Sequence, residues 1–446
     1  MGNAKLRMDS LKKNLWIGAA LAMLLPAGCE RESDRVSVAE SYERLARPEV
    51  WEVLPHGQAQ AAGLGPGDVV VSYDGVGVRT NDEVRLAQAR AIAGVDGDSV
   101  TVAVMREGRT RSVRVVPGPL GVMPVSARYP SSLAVALEAL LRESGRFADY
   151  DWLVALTGEA FTFTARGDEC RAWWPGGKSG VYVEQSAAVA GLSVRRIEGE
   201  DVARGVERAL RRGRAVLVQG GWPEHRFGFW GVAARYDAGD SLGNRESGIG
   251  VRGSGPNPET RMPNPVIYGY VMDAPDEVPV SGEIVAAYEV GAVGSWAEPE
   301  EVFAAALRQA LELTQVHADT GWKSGVEAYD LVIASLDSVP FCPVCGEEES
   351  QACWDRLIWA TLAHRESGRR FLEQMKLGLP DQLVLVEEAI TVNDAIIAKL
   401  RGILFSSTRL GTKDEQQKLA LVLNRVQIDE VRLIEIYEAL LGALAR

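Results

Sequence analysis

The chain has 446 residues, of which 46% are apolar and 24% charged. That length can bury more than one hydrophobic core, and it suggests two to four domains; the apolar share excludes a disordered acidic polymer. Acidic residues outnumber basic ones 61 to 48, for a net charge of −13. This argues against a nucleic-acid partner, which needs a basic face that displaces counterions.

Lys5, Arg7, Lys12 and Lys13 precede an uninterrupted apolar run over residues 15–25. As a helix that run spans about 16 Å, too short for a ~30 Å bilayer core. The pattern predicts a signal peptide over residues 1–28 and not a transmembrane anchor. Pro26-Ala27-Gly28-Cys29 follows, and small residues before a cysteine at this place resemble the lipobox of bacterial lipoproteins. The resemblance implies acylation of Cys29, a lipid anchor in a membrane, and a place in the bacterial cell envelope, facing the periplasm or the exterior. The family usually has Leu where Pro26 stands, and here Leu25 lies one residue further back. An ordinary signal peptide with a chance cysteine is the alternative. Residues 29–48 are polar and charged and predict a tether with one short helix.

Residues 49–125 read as short strands and two helices. Residues 50–54 suit a strand, residues 59–62 a short helix, and Gly63-Leu64-Gly65-Pro66-Gly67-Asp68 a turn. Residues 69–71 form a buried strand, and Asp74-Gly75 is a hairpin signal. Thr80 or Asn81 can cap a helix that carries Val84, Ala87 and Ala91 on its apolar face. Two strands separated by Glu107-Gly108 close the segment. Ala62-Gly63-Leu64, Pro66-Gly67-Asp68, Asp74-Gly75 and Arg106-Glu107-Gly108 resemble bacterial PDZ domains of the periplasmic protease type. Such domains bind an extended peptide between a strand and a helix, with backbone amides on its terminal carboxylate. The family's carboxylate loop has the form x-Φ-G-Φ, and Pro119-Leu120-Gly121-Val122 has that form after the last strand. The resemblance then implies the permuted strand order common in bacteria, with a peptide groove lined by Leu120, Gly121 and Val122 facing Val84 and Ala87. The alternative is a strand that leads into the next domain, with the unit serving only as packing.

Residues 126–275 predict an α+β domain. Leu133, Ala136, Leu137, Leu140 and Leu141 mark one helix face, capped by Ser131 or Ser132. A second helix is expected over residues 150–156 and an amphipathic one over 201–212. Strands are expected at residues 161–165, 181–183, 215–219, 229–236 and 266–272. Tyr150-Asp151-Trp152-Leu153, Gly158-Glu159-Ala160-Phe161, the run at 213–218 and Trp230-Gly231-Val232 resemble a bacterial group related to C39-like cysteine peptidases and the butirosin acyltransferase N-terminal domain. That papain-like fold needs a thiolate at a helix N-terminus beside an imidazole. No cysteine stands at residues 129–133 and no histidine at 229–233. The resemblance therefore implies a catalytically inactive body, a pseudoenzyme. The alternative is an acyltransferase or peptidase-like hydrolase that uses Ser131 or Ser132 with His225. Trp173, Trp174, Trp222 and Trp230 read first as core packing at loop bases, and second as lining of a ligand pocket. Cys170 lies beside Asp168 and Glu169, which disfavour a thiolate.

Residues 276–446 predict a helical bundle, from stripes such as Phe303, Ala306, Leu307, Ala310 and Leu311. Cys342-Pro343-Val344-Cys345, with Cys353 and His364 after it, offers sulfur and nitrogen ligands. A C-x-x-C can start a zinc site, but the later spacings fit no familiar zinc pattern. Export would favour disulfides among Cys170, Cys342, Cys345 and Cys353. Disulfide, zinc and unpaired thiols stay open, and no other cofactor is expected. The whole predicts an α+β multidomain chain: a PDZ β-sandwich or barrel, a papain-like domain and a C-terminal bundle. Its expected partners are a peptide or protein C-terminus and, through the anchor, a membrane.

Overall fold

In the computed structural model of the protein, the described residues are 36–54, 57–94, 98–118, 120–166, 182–199, 201–223, 228–237, 266–272, 274, 276–315, 322–336, 347–405, 410 and 412–445. Two hydrophobic cores organise them, a small one within residues 59–120 and a large one that takes in nearly everything else.

Ser37 opens α1 (Val38–Ala46) with a capping box. Its hydroxyl accepts from the Glu40 N–H, and the Glu40 carboxylate accepts from the Ser37 N–H. Val38, Tyr42 and Leu45 recur at i, i+4 and i+7 and are buried in the large core. Most of the second half of the expected tether is thus a docked helix, because this stripe has somewhere to bury itself.

The chain then leaves the large core for the small one. In order come β1 (Val50–Val53), α2 (Gln58–Ala61), β2 (Val69–Tyr73), β3 (Val76–Gly77), α3 (Asn81–Gly94), β4 (Val100–Arg106), β5 (Arg109–Val115) and β6 (Val122–Pro124). Four strands form a sheet in the order β3-β2-β4-β5, and β1 pairs antiparallel with β6. Both hairpins turn through two residues at positive φ, Asp74-Gly75 and Glu107-Gly108, each pair at 51° and 75°. The other signature residues meet in one cluster. Buried Asp68 accepts from Arg106 Nε at 2.5 Å, from Arg106 Nη2 at 2.6 Å and from the Gly65 N–H at 2.9 Å. Arg106 Nη2 also donates to the Gly63 carbonyl at 2.9 Å. The guanidinium holds the Asp68 carboxyl below the usual range. Thr80 caps α3, accepting from the Glu83 N–H.

A 3-10 turn (Val125–Arg128) returns the chain to the large core. There follow α4 (Ser132–Glu143), α5 (Tyr150–Leu156), β7 (Thr164–Arg166), α6 (Val183–Val189), β8 (Leu192–Arg196), α7 (Val202–Arg211), β9 (Val216–Gly220), β10 (Trp230–Asp237), β11 (Val266–Val271), β12 (Val278–Val280) and β13 (Ile284–Val293). Six strands pair antiparallel in the order β12-β11-β10-β9-β13-β8. Helix α4 packs against β10 and is buried from Ser132 to Leu141. An all-round apolar helix needs such a central place. Two expectations are corrected here. Val183 begins a helix, not the end of a strand. The division expected at 275 falls inside the sheet, since β12 and β13 lie beyond it.

The remaining elements are α8 (Pro299–Gln315), β14 (Trp322–Ser324), α9 (Val326–Leu336), α10 (Glu347–Gly378), α11 (Leu383–Leu404) and α12 (Lys413–Leu444). Strand β14 pairs with β7. Helices α10 to α12 pack in succession, as short connections dictate, and they share the sheet's core. The chain is an α+β multidomain protein with a helical C-terminal region.

Candidate functional site

The strand β6 is the feature best placed to meet a ligand. Its register on β1 sets Val53 opposite Val122, Glu52 opposite Met123 and Val50 opposite Pro124. Leu54 N–H donates to the Gly121 carbonyl and Val125 N–H to the Glu49 carbonyl, both at 2.8 Å. That bonding makes Val122 and Pro124 the non-hydrogen-bonded positions of the pair. Their main-chain groups therefore point away from β1. No second strand pairs with β6 among the described residues.

The loop that enters β6 is held from below. Tyr73 Oη donates to the Gly118 carbonyl and accepts from the Gly118 N–H, both at 2.9 Å. Burial raises the Tyr73 pKa, so the phenol keeps its proton. Gly121 adopts φ +72°, and a Cβ there would lie 3.0 Å from the Gly57 Cα. Only glycine suits that bend. The N–H groups of Leu120 and Gly121 have no hydrogen-bond partner among the described residues. Unpaired amides at a tight bend beside an open strand edge can hold an anion such as a carboxylate.

The side chains expected to line a groove belong to the small core or lie against it. Leu120, Val84 and Ala87 are buried together in the small core. Val122 is partly buried against the same core. Pro119 lies outside the described residues. Asn81 does not cap α3: its Nδ2 donates to Ser126 Oγ at 3.1 Å, and both residues are buried. This bond ties the start of α3 to the chain just beyond β6. Sequence reasoning missed it, and it also missed Tyr73, whose partner lies 45 residues away.

The serines of the alternative enzyme reading are both engaged. Ser131 Oγ accepts from the Ala134 N–H at 3.2 Å as the helix cap, and the Ser131 N–H donates to Tyr150 Oη at 3.0 Å. Ser132 Oγ accepts from the Trp230 N–H at 3.0 Å. Both serines and Trp230 are buried. The serine oxygens thus join α4 to its own first turn and to β10. His225 lies outside the described residues, as do Cys29, Cys170, Cys342, Cys345, Trp173 and Trp174. Trp222 and Trp230 belong to the large core.

Cys353 and His364 both fall in α10. Among the described residues, no group of three or more His, Cys, Asp or Glu side chains could hold a metal. His364 is buried, and its Nε2 has no hydrogen-bond partner among the described residues. Burial, helped by neighbouring Arg365, pushes its pKa down to about 3.

No protein-family model matches the chain. It is similar over short stretches to the magnetosome formation protease MamE of Paramagnetospirillum magneticum, 37% identical over 79 residues, which is 18% of this chain and 10% of the relative. The MamE of Magnetospirillum gryphiswaldense is 30% identical over 118 residues, 26% of this chain and 15% of the relative. A protein of Mesorhizobium japonicum assigned by name to the zinc metalloproteases is 38% identical over 78 residues, 17% of this chain and 20% of the relative. The chain spans between a tenth and a fifth of the length of these relatives. The shared stretches support a PDZ-type recognition unit in general terms.

Proposed function

We propose that this chain is a lipid-anchored recognition protein of the bacterial cell envelope. Its N-terminal unit binds the C-terminus of a peptide or protein, as PDZ domains do, and its papain-like body performs no catalysis. The observation that carries this reading is the outward edge of β6, next to the Leu120 and Gly121 amides, which have no hydrogen-bond partner among the described residues. The PDZ-type turn motifs and the partial similarity to bacterial proteases support it. The buried, engaged hydroxyls of Ser131 and Ser132 support the inactive body. For the anchor, the support is the apolar run that ends just before Cys29. No helix among the described residues is long and apolar enough to cross a membrane.

The test is retention of the full chain on immobilised decapeptides with randomised last positions. A subset with free C-termini should retain it, and the same peptides amidated should not. Failure of every free-ended peptide would overturn the reading. Separately, Cys29→Ala should move the expressed protein from the membrane fraction to the soluble one; unchanged fractionation would remove the anchor from the proposal.

A further inference from the structure

The turn that ends α4 joins two parts of the chain. Gly145 N–H donates to the Arg142 carbonyl at 2.9 Å, and Val36 N–H donates to the same oxygen at 3.4 Å. The N-terminal segment therefore meets the body at the α4–α5 turn. Cys29 lies seven residues before Val36. At ~3.3–3.6 Å per residue, the two are at most about 25 Å apart in any conformation.

Phe147 stands in this turn and is 60% exposed. Its carbonyl accepts from Trp296 Nε1 at 3.0 Å, and the two rings meet with centroids 6.3 Å apart. Trp296 in turn meets Trp152 edge to face at 5.4 Å, and Trp152 Nε1 donates to Gln374 of α10. One turn past Gln374, Leu377 is 80% exposed. The exposed apolar groups at this end are thus backed by a braced aromatic stack. Two nearby cations are engaged in ion pairs, Arg142 with Glu138 and Arg370 with Asp151. Phe and Leu outside, with an indole behind them, suit the boundary between headgroups and acyl chains.

The turn also lies at one end of α4. Helix α1 runs back along α4, from Val36 beside Arg142 to Arg44, whose Nη2 is 3.9 Å from Glu138. Residues 49–125 leave the body after α1 and return just before Ser131, and Val125 N–H donates to the Glu49 carbonyl where the two links pass. Both links lie toward the far end of α4, whose 12 residues span about 18 Å.

We propose that, given the Cys29 anchor of the reading above, the α4–α5 end of the body is seated in the membrane interface through Phe147, Trp296 and Leu377. The partner of this surface is the lipid layer that carries the anchor. Seating there sets the recognition unit on the side of α4 away from the bilayer.

The experiment expresses the full chain in a bacterium with photoreactive p-benzoylphenylalanine in place of Phe147 or, as a control, of Leu421. Leu421 is 61% exposed and lies in the half of α12 that begins beside Gln351, toward the opposite end of α10 from Gln374. Membranes are irradiated, and mass spectrometry of the probe peptide reads phospholipid adducts. The adduct yield at Phe147 should exceed that at Leu421 by about fivefold or more. Equal yields on a chain whose Cys29 carries its acyl groups would overturn the inference and leave the anchor standing. If the Phe147 variant is not recovered folded, exposed Ser295 beside Trp296 takes the probe, with the same expectation and the same overturning result. An N-terminal peptide without acyl mass on Cys29 would overturn the anchor reading itself, and this inference with it.

Discussion

Arg365 forms a buried ion pair with Glu430. It is 1% exposed, and its Nη2 donates to both Glu430 oxygens at 2.6 Å while Nη1 donates to the Phe161 carbonyl at 2.7 Å. Asn393 Nδ2 donates to the Arg365 carbonyl. One ion pair thus joins α10 to α12 and to the strand-side segment at Phe161. Losing one partner leaves a buried charge alone, so Arg365→Met is expected to cost about 3–5 kcal/mol in urea unfolding. Adding Glu430→Leu should recover most of that loss, because the second charge goes too; a double variant as weak as the single would show that packing is what fails. His364, next in sequence, sets an acid limit. Its folded pKa of about 3 lies below the ordinary 6.5. Below pH 6.5 the unfolded chain takes up a proton that the folded chain refuses, so stability falls as pH falls toward 3. The expected loss between pH 7 and pH 5 is about 2 kcal/mol, and His364→Leu should remove that much of the slope. An unchanged slope in the variant would assign the titration to another group. Neither residue was legible as core in the sequence, because charged and imidazole side chains read first as surface.

At the scale of elements, periodicity located the helices well. The stripes at residues 133–141, 150–156 and 202–211 mark helices, because a one-sided or continuous apolar helix must pack somewhere. It located β12 and β13 poorly. Ala286, Ala287, Tyr288 and Val290 suit a helix as well as a strand, and pairing with β8 and β9 is what chooses the strand. The sheet also depends on two glycines that carry no pattern signal. A Cβ on Gly231 would stand 2.6 Å from the Trp222 ring, and one on Gly269 would stand 2.3 Å from the Val232 carbonyl. The Trp222 indole fills the space these glycines leave. Gly269→Ala is expected to cost about 2–3 kcal/mol by overpacking. Gly402→Ala is the control: it lies within α11 with nothing within 4 Å of the added carbon. There alanine should stabilise by about 0.5–1 kcal/mol. Equal effects at both sites in thermal unfolding would contradict the packing argument.

At the scale of the molecule, the small core hangs on the large one through a defined joint. The rings of Trp51 on β1 and Trp359 on α10 meet edge to face with centroids 6.0 Å apart. Arg401 of α11 bonds Glu366 and lies 3.8 Å from Glu52. Leu54 and Met123 pack on the large core beside them. The strand β1 therefore has two faces of work, pairing with β6 and docking to the helices. Trp51→Ala should uncouple the two cores, so that calorimetry resolves two unfolding transitions in place of a joint one. Coincident transitions in the variant would locate the joint elsewhere.

By itself the sequence determined the α+β class, the turns of the N-terminal unit and most helix positions. These are local matters: a Gly at positive φ, a cap, a stripe. Tertiary structure alone decided that residues 38–46 join the body, that the sheet runs past residue 275, and that Leu120, Val84 and Ala87 share one small core. Each of those depends on contacts far apart in the chain. A side chain's periodicity says that it is buried or exposed, but only the packed partner says on which side and against what.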